Sequence, residues 1–106
     1  MGSMIKLKEG ERVTLTGKLS DVLYQHLMGA FEGYPEFDYF EPDDSDQFGA
    51  QILLYVKKKI DYKGRIKITG KVVALTPAKG SKAYDENEPD YKEFQILVNE
   101  WEPIKT

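Results

Sequence analysis

RIKITGKVVAL, residues 65–75, echoes RVTLTGKLS, residues 12–20, at an offset of fifty-three residues. Each stretch alternates apolar and polar side chains with a period of two, is rich in β-branched residues, and is then broken by a glycine, Gly17 in the first and Gly70 in the second. Period-two alternation is the pattern of a strand with one face buried. A glycine inside such a strand marks a sharp bend or a close approach of another backbone. A duplicated unit would carry its neighbours with it, yet FDYFEPDD (37–44) and QILLYV (51–56) each occur once. The echo therefore describes two strands of one fold that must both alternate inward and then turn a corner.

Working outward, three more strands follow. EFDYFE (36–41) is short and aromatic, and Pro42 ends it. AQILLYVKK (50–58) reads as a central strand with Ile52, Leu54 and Val56 on one face and Leu53, Tyr55 and Lys57 on the other. EFQILVNEWEPI (93–104) closes the set, with Phe94, Ile96 and Val98 alternating and Trp101 packing against the barrel end. Between the first two strands, Val22, Leu23, His26, Leu27, Ala30 and Phe31 recur at intervals of three and four, which predicts a short amphipathic helix capped by Ser20 and stopped by Gly33. Gly29 within that run keeps an extended or irregular crossing open as the alternative. DDSDQFG (43–49) is turn chemistry, and Pro77–Tyr91 reads as a long loop.

With 106 residues the chain reads as one domain, residues 4–106, with Met1-Gly2-Ser3 ahead of Met4 taken as a cloning remnant. The absence of cysteine removes disulfides, thiol nucleophiles and thiolate metal sites together. No apolar run approaches the ~20 residues of a membrane span, and no leader pattern opens the chain, so the expected location is cytoplasmic with no membrane partner. The formal net charge of -3 conceals segregation. Residues 32–48 hold seven acids and no base, whereas residues 49–82 hold nine bases against Asp61 alone. A mildly acidic chain does not attract nucleic acid in bulk, so any polyanion site must be local.

Five strands of uneven length with glycines inside the first and fourth are the requirement of a small closed barrel, an all-β, five-stranded Greek-key fold with the short helix after strand one. RVTLTGKLS, the hairpin FEPDDSDQFGAQILLYV, KGRIKITGKVVAL and FQILVNEWEPI together resemble the oligonucleotide/oligosaccharide-binding (OB) fold, and within it the tRNA-anticodon-type nucleic-acid-binding branch, over residues 10–103. Many members of that class place a capping helix between strands three and four. KKKIDYKG is too short for one, and residues 21–33 are expected to close the barrel bottom instead.

The resemblance implies a ligand platform on the outward face of strands two and three. It makes Phe37, Tyr39, Tyr55, Lys57 and Lys67 candidate binding residues, with aromatics to stack bases, and the basic run of residues 57–71 adds Arg65 and Lys71 as cations to follow a phosphate chain. Whether Phe37 and Tyr39 or Asp38 and Phe40 face outward is left open by the alternation. The expected function is a non-enzymatic OB-type binding module for single-stranded nucleic acid. The alternative is a protein-interaction module whose acidic segments meet a basic partner. No cofactor is implied. The lone His26 has no second histidine or cysteine to share a metal and reads as a satisfied, partly buried side chain. DDSDQFG lacks the bidentate glutamate of a calcium loop. No nucleophile stands with a base, and the acids lie in turns, so catalysis is not expected.

Overall fold

A computed structural model describes residues 6–77, 87 and 91–105. Met1-Gly2-Ser3, and the expected loop over Pro77–Tyr91 apart from residues 77, 87 and 91, lie outside them. The elements in chain order are β1 (Arg12–Leu19), β2 (Glu36–Pro42), α1 (Ser45–Phe48), β3 (Ile52–Val56), β4 (Arg65–Leu75) and β5 (Glu93–Pro103). The strands close into a barrel in the order β1-β2-β3-β5-β4. Every pairing is antiparallel except β3 with β5, which run parallel through Leu54↔Ile96 and Tyr55↔Leu97.

The two echoing stretches lie side by side. β1 and β4 pair from Arg12↔Lys71 to Lys18↔Arg65, so the Thr14 and Thr69 hydroxyls meet at 3.1 Å. Gly17 sits where β1 passes from β4 to β2, and an added Cβ would stand 2.1 Å from the Glu41 carbonyl oxygen. Gly70 sits at the register shift between β4 and β5, where a Cβ would stand 2.2 Å from the Leu97 carbonyl oxygen. Each glycine is a corner at which two backbones meet too closely for any side chain.

Inside the barrel, alternate residues of every strand meet: Leu15 from β1, Phe40 from β2, Leu54 from β3, Ile68 from β4 and Ile96 from β5, each 5% exposed or less. Burying one such side chain contributes about 1.5–3 kcal/mol. Leu7, before β1, and Ile60, between β3 and β4, join this cluster. Ile60 is seated by its backbone N–H, which donates to Asp38 Oδ2 at 3.0 Å. No helix forms between β3 and β4, as the short KKKIDYKG requires.

The helix expected after β1 does not form, and the irregular crossing stands in its place. Residues 21–30 carry no regular structure, and a single bridge, Phe31↔Tyr34, closes the turn at its end. A helix there would need a core to receive its apolar stripe. Val22, Leu23, Tyr24 and Met28 instead face solvent. Nor does this segment close the barrel bottom: residues 20–34 form a strap across the outside of the sheet. The one helix among the described residues is α1, within the stretch read as a turn; its N-terminus is capped by Asp44, which accepts from the Gln47 N–H at 3.1 Å. No described helix is long and apolar enough to cross a membrane.

A candidate binding face beneath a strap

The register settles which side chains leave the barrel. Phe37 lies opposite Tyr55 and Tyr39 opposite Leu53, while Asp38 and Phe40 lie opposite the core residues Leu54 and Ile52. Phe37, Tyr39, Leu53 and Tyr55 therefore share the outer face. Glu93, Gln95 and Leu97 extend it across β5, alternating with the inward-facing Ile96 and Val98. On an uncovered sheet these residues would be wet. Yet Leu53 is 0%, Tyr55 2% and Gln95 0% exposed.

The strap, residues 20–34, covers Tyr55 and Gln95, and it is held chiefly through its main chain. Gln51 Nε2 donates to the Val22 carbonyl oxygen at 2.7 Å, and its Oε1 accepts from the Tyr24 N–H at 3.3 Å. Glu93 Oε1 accepts from the Leu27 N–H at 3.0 Å, and Gln95 Nε2 donates to the Leu27 carbonyl oxygen at 2.5 Å. The Tyr55 hydroxyl accepts from the Gly29 N–H at 2.8 Å and donates to Gln95 Oε1 at 2.5 Å. Four side chains of the sheet and its approach thus satisfy five backbone groups of an irregular segment that has no ladder of its own. Two rings add to this, Phe31 against Tyr55 with centroids 4.7 Å apart and His26 against Tyr39 at 5.8 Å.

His26 lies at the centre of the arrangement, with a side chain only 9% exposed. Its Nδ1 stands 2.6 Å from Glu93 Oε2, and its Nε2 stands 2.7 Å from Gln51 Oε1. Glu93 Oε2 also accepts from Gln95 Nε2 at 2.9 Å. Burial pushes the Tyr55 phenol above its ordinary range, the Gly29 N–H partly offsets this, and the negative charge of Glu93 adds to it. Tyr55 therefore stays a neutral donor at any ordinary pH.

The seven residues expected to form a binding site fall into separate places. Phe37, Tyr39 and Tyr55 come together, with Phe37 and Tyr39 half-buried and 5.9 Å apart edge to face. Lys57 is exposed just past the end of β3. Arg65, Lys67 and Lys71 lie on β4, which neighbours β1 and β5 rather than β2 and β3. Two of them are spoken for: Arg65 pairs with Asp43, and Lys67 Nζ lies 2.7 Å from Glu102. Each partner raises the basic group and, for Arg65, holds the Asp43 carboxyl below its usual range. Lys59, over the Phe37 ring at 5.2 Å, pairs loosely with Asp38 at 3.9 Å. Three cations of residues 57–71, Lys59, Arg65 and Lys67, thus stand against acids of β2, the β2–α1 turn and β5.

Gln51, Glu93 and Gln95, which grip the strap, were not among the residues singled out from the sequence. Gln95 carried a signal, a polar side chain on the outward side of a strongly apolar strand, but its partner lies sixty-eight residues away at Leu27. His26 matches the expectation of a satisfied histidine. Among the described residues, no three histidine, aspartate or glutamate side chains are grouped to hold a metal ion. No protein-family model, curated protein or solved structure matches the chain.

Proposed function

We propose that this chain is a non-enzymatic binding module of the OB class, and that its ligand is an extended polypeptide received on the outer face of β2, β3 and β5. The strand order β1-β2-β3-β5-β4 with a parallel β3–β5 pair supports the class. Within it, the residue pattern favours the tRNA-anticodon-type branch. The observation that carries the polypeptide reading is the set of four side chains, Gln51, Tyr55, Glu93 and Gln95, aligned on backbone N–H and C=O groups of the strap. A face that reads main chain accepts segments of differing sequence, because every polypeptide carries those groups.

The strap also turns Val22, Leu23, Tyr24 and Met28 outward, so little apolar burial holds it in place. A tethered segment held mainly by polar contacts is exchangeable, since each such hydrogen bond nets only about 1 kcal/mol. Single-stranded nucleic acid at the same face is the second reading. It is favoured by the half-exposed Phe37–Tyr39 pair beside Lys57 and Lys59.

An array of immobilised synthetic peptides probed with the tagged protein, run beside a fluorescence titration with an oligonucleotide pool at low salt, tests both. Capture of peptides with a central histidine or basic residue, lost in Gln95→Leu, is the expected result. Oligonucleotide binding with a steep salt dependence and no peptide capture would overturn it in favour of the nucleic-acid reading.

A further inference from the structure

The hydrogen bonds around His26 count out its protons. Gln51 has its amide orientation set by two other bonds: its Nε2 donates to the Val22 carbonyl oxygen and its Oε1 accepts from the Tyr24 N–H. The oxygen facing His26 Nε2 at 2.7 Å is therefore an acceptor, and Nε2 carries a hydrogen. On the other side of the ring, Nδ1 lies 2.6 Å from a Glu93 carboxylate that already receives Leu27 N–H and Gln95 Nε2. A bond this short needs a proton between the two atoms. With that proton present, the pair is an imidazolium against a carboxylate, and every polar atom around it is satisfied. A neutral ring keeps a single hydrogen, so either Nδ1 faces the Glu93 carboxylate across 2.6 Å or Nε2 faces Gln51 Oε1 across 2.7 Å lone pair to lone pair, in a site nearly closed to water.

We propose that the second proton of the His26 imidazole, which lets the ring donate to Glu93 and to Gln51 at once, is the latch of the strap, holding residues 20–34 over the β2–β3–β5 face in acid and releasing them as the pH rises. The inference rests on the proposed binding face and assigns its regulation. Seating the strap takes up a proton that the open form gives back to water, so acid favours the covered state and base the open one. The titratable groups that face the ring are Glu93 from β5 and Tyr39 from β2, whose ring is 5.8 Å away. Tyr55 from β3 lies further off, joined through Gln95, and Gln51 contributes a neutral amide. Burial keeps the Tyr55 phenol neutral, so the switching lies in the His26–Glu93 pair.

Latching matters because of what lies beneath. Lifting the strap uncovers Tyr55 and Gln95, 2% and 0% exposed, next to Phe37 and Tyr39, and frees the amide and carboxylate groups that would take a partner's main chain. A basic or histidine side chain on the incoming segment fills the place of His26 beside Glu93.

The Leu27 and Gly29 amides, which donate to Glu93 and Tyr55, report the opening directly through hydrogen exchange in the ligand-free protein. After correction for the intrinsic pH dependence of exchange, their open population should rise at least about tenfold between about pH 5 and pH 8. The amides of the core residues Ile68 and Ile96 should hold steady. His26→Gln should be flat over the same range, with Ile96 protection certifying that its barrel is folded. A flat profile in the wild-type protein, or an equal rise in His26→Gln, overturns the latch. The imidazole nitrogen resonances of the unmodified protein supply a readout that needs no variant. Both nitrogens should be protonated in acid with the strap seated, and a neutral, single-tautomer ring throughout would overturn the proposal. A flat exchange profile with intact peptide capture refutes the latch alone, whereas a pH-dependent opening with no peptide captured at either pH refutes the binding reading and leaves the latch standing.

Discussion

Single residues set polar against apolar demands at two places in this barrel. Asp38 points toward the core side of β2, opposite Leu54, and burial pushes its carboxyl above the usual range. The Ile60 N–H at 3.0 Å and Lys59 at 3.9 Å only partly offset that burial. A carboxyl raised in the folded state binds its proton more tightly there than in the unfolded chain. Its contribution therefore favours folding in acid and is lost as pH rises through the raised value. Asp38→Asn keeps an acceptor for the Ile60 N–H and removes the buried charge. The expected outcome is a gain of about 0.5 kcal/mol or more at neutral pH, with a flatter stability profile through the carboxylate range, read by urea denaturation at several pH values. Gln95 is the opposite case. Fully buried, it spends both ends of its amide on the strap and on Tyr55, so burial costs it nothing in lost hydrogen bonds.

At the scale of elements, the corners decide whether strands can close into a barrel. Gly70 marks the register shift of β4 against β5, and Gly17 marks the exchange of β1 from β4 to β2. Gly70→Ala would force a Cβ to within 2.2 Å of a backbone oxygen that cannot swing aside. The expected cost is about 3 kcal/mol or more. Gly10, with φ of 87° and nothing within 4 Å of an added Cβ, makes the control. Gly10→Ala should cost only the left-handed backbone penalty of about 1–2 kcal/mol. Chemical denaturation of the two variants side by side checks the difference; equal losses would mean that Gly70 serves backbone conformation rather than close approach. The strap is an element of another kind, since it has no ladder and no core-facing stripe, and it exists only because a neighbouring sheet supplies its hydrogen bonds.

Over the whole molecule, the barrel and the strap should have different stabilities. The barrel buries a continuous apolar cluster contributed by all five strands, while the strap leaves Val22, Leu23, Tyr24 and Met28 exposed. Hydrogen exchange in rising denaturant should therefore show Ile68 and Ile96 opening with the steep denaturant dependence of global unfolding. Leu27 and Gly29 should open at lower free energy with a shallow dependence. A single common opening free energy would show that strap and barrel are one cooperative unit. Charge follows the same division of scale. The strong segregation along the chain is partly offset in space, where Arg65 meets Asp43, Lys67 meets Glu102 and Arg12 lies 3.7 Å from Glu100. Exposed pairs of this sort contribute little stability and lower the positive charge that a phosphate chain would meet at Arg65 and Lys67.

The strands, their inward faces and the glycine corners were legible in RIKITGKVVAL and RVTLTGKLS, because alternation and a missing Cβ are local properties that a barrel imposes on each strand separately. The outward grouping of Phe37, Tyr39 and Tyr55 followed once register resolved which face of β2 was wet. The fate of residues 20–34 was not legible. Their three-and-four spacing satisfies a helix on paper, and only the tertiary structure decides between that helix and a strap. The choice rests on hydrogen-bond partners at Gln51, Tyr55, Glu93 and Gln95, which lie between twenty-five and sixty-eight residues from the groups they hold. The sequence by itself determined that a five-stranded barrel would form. Long-range satisfaction of an irregular backbone, which leaves no periodic trace in the chain, determined that the barrel's aromatic face would be covered.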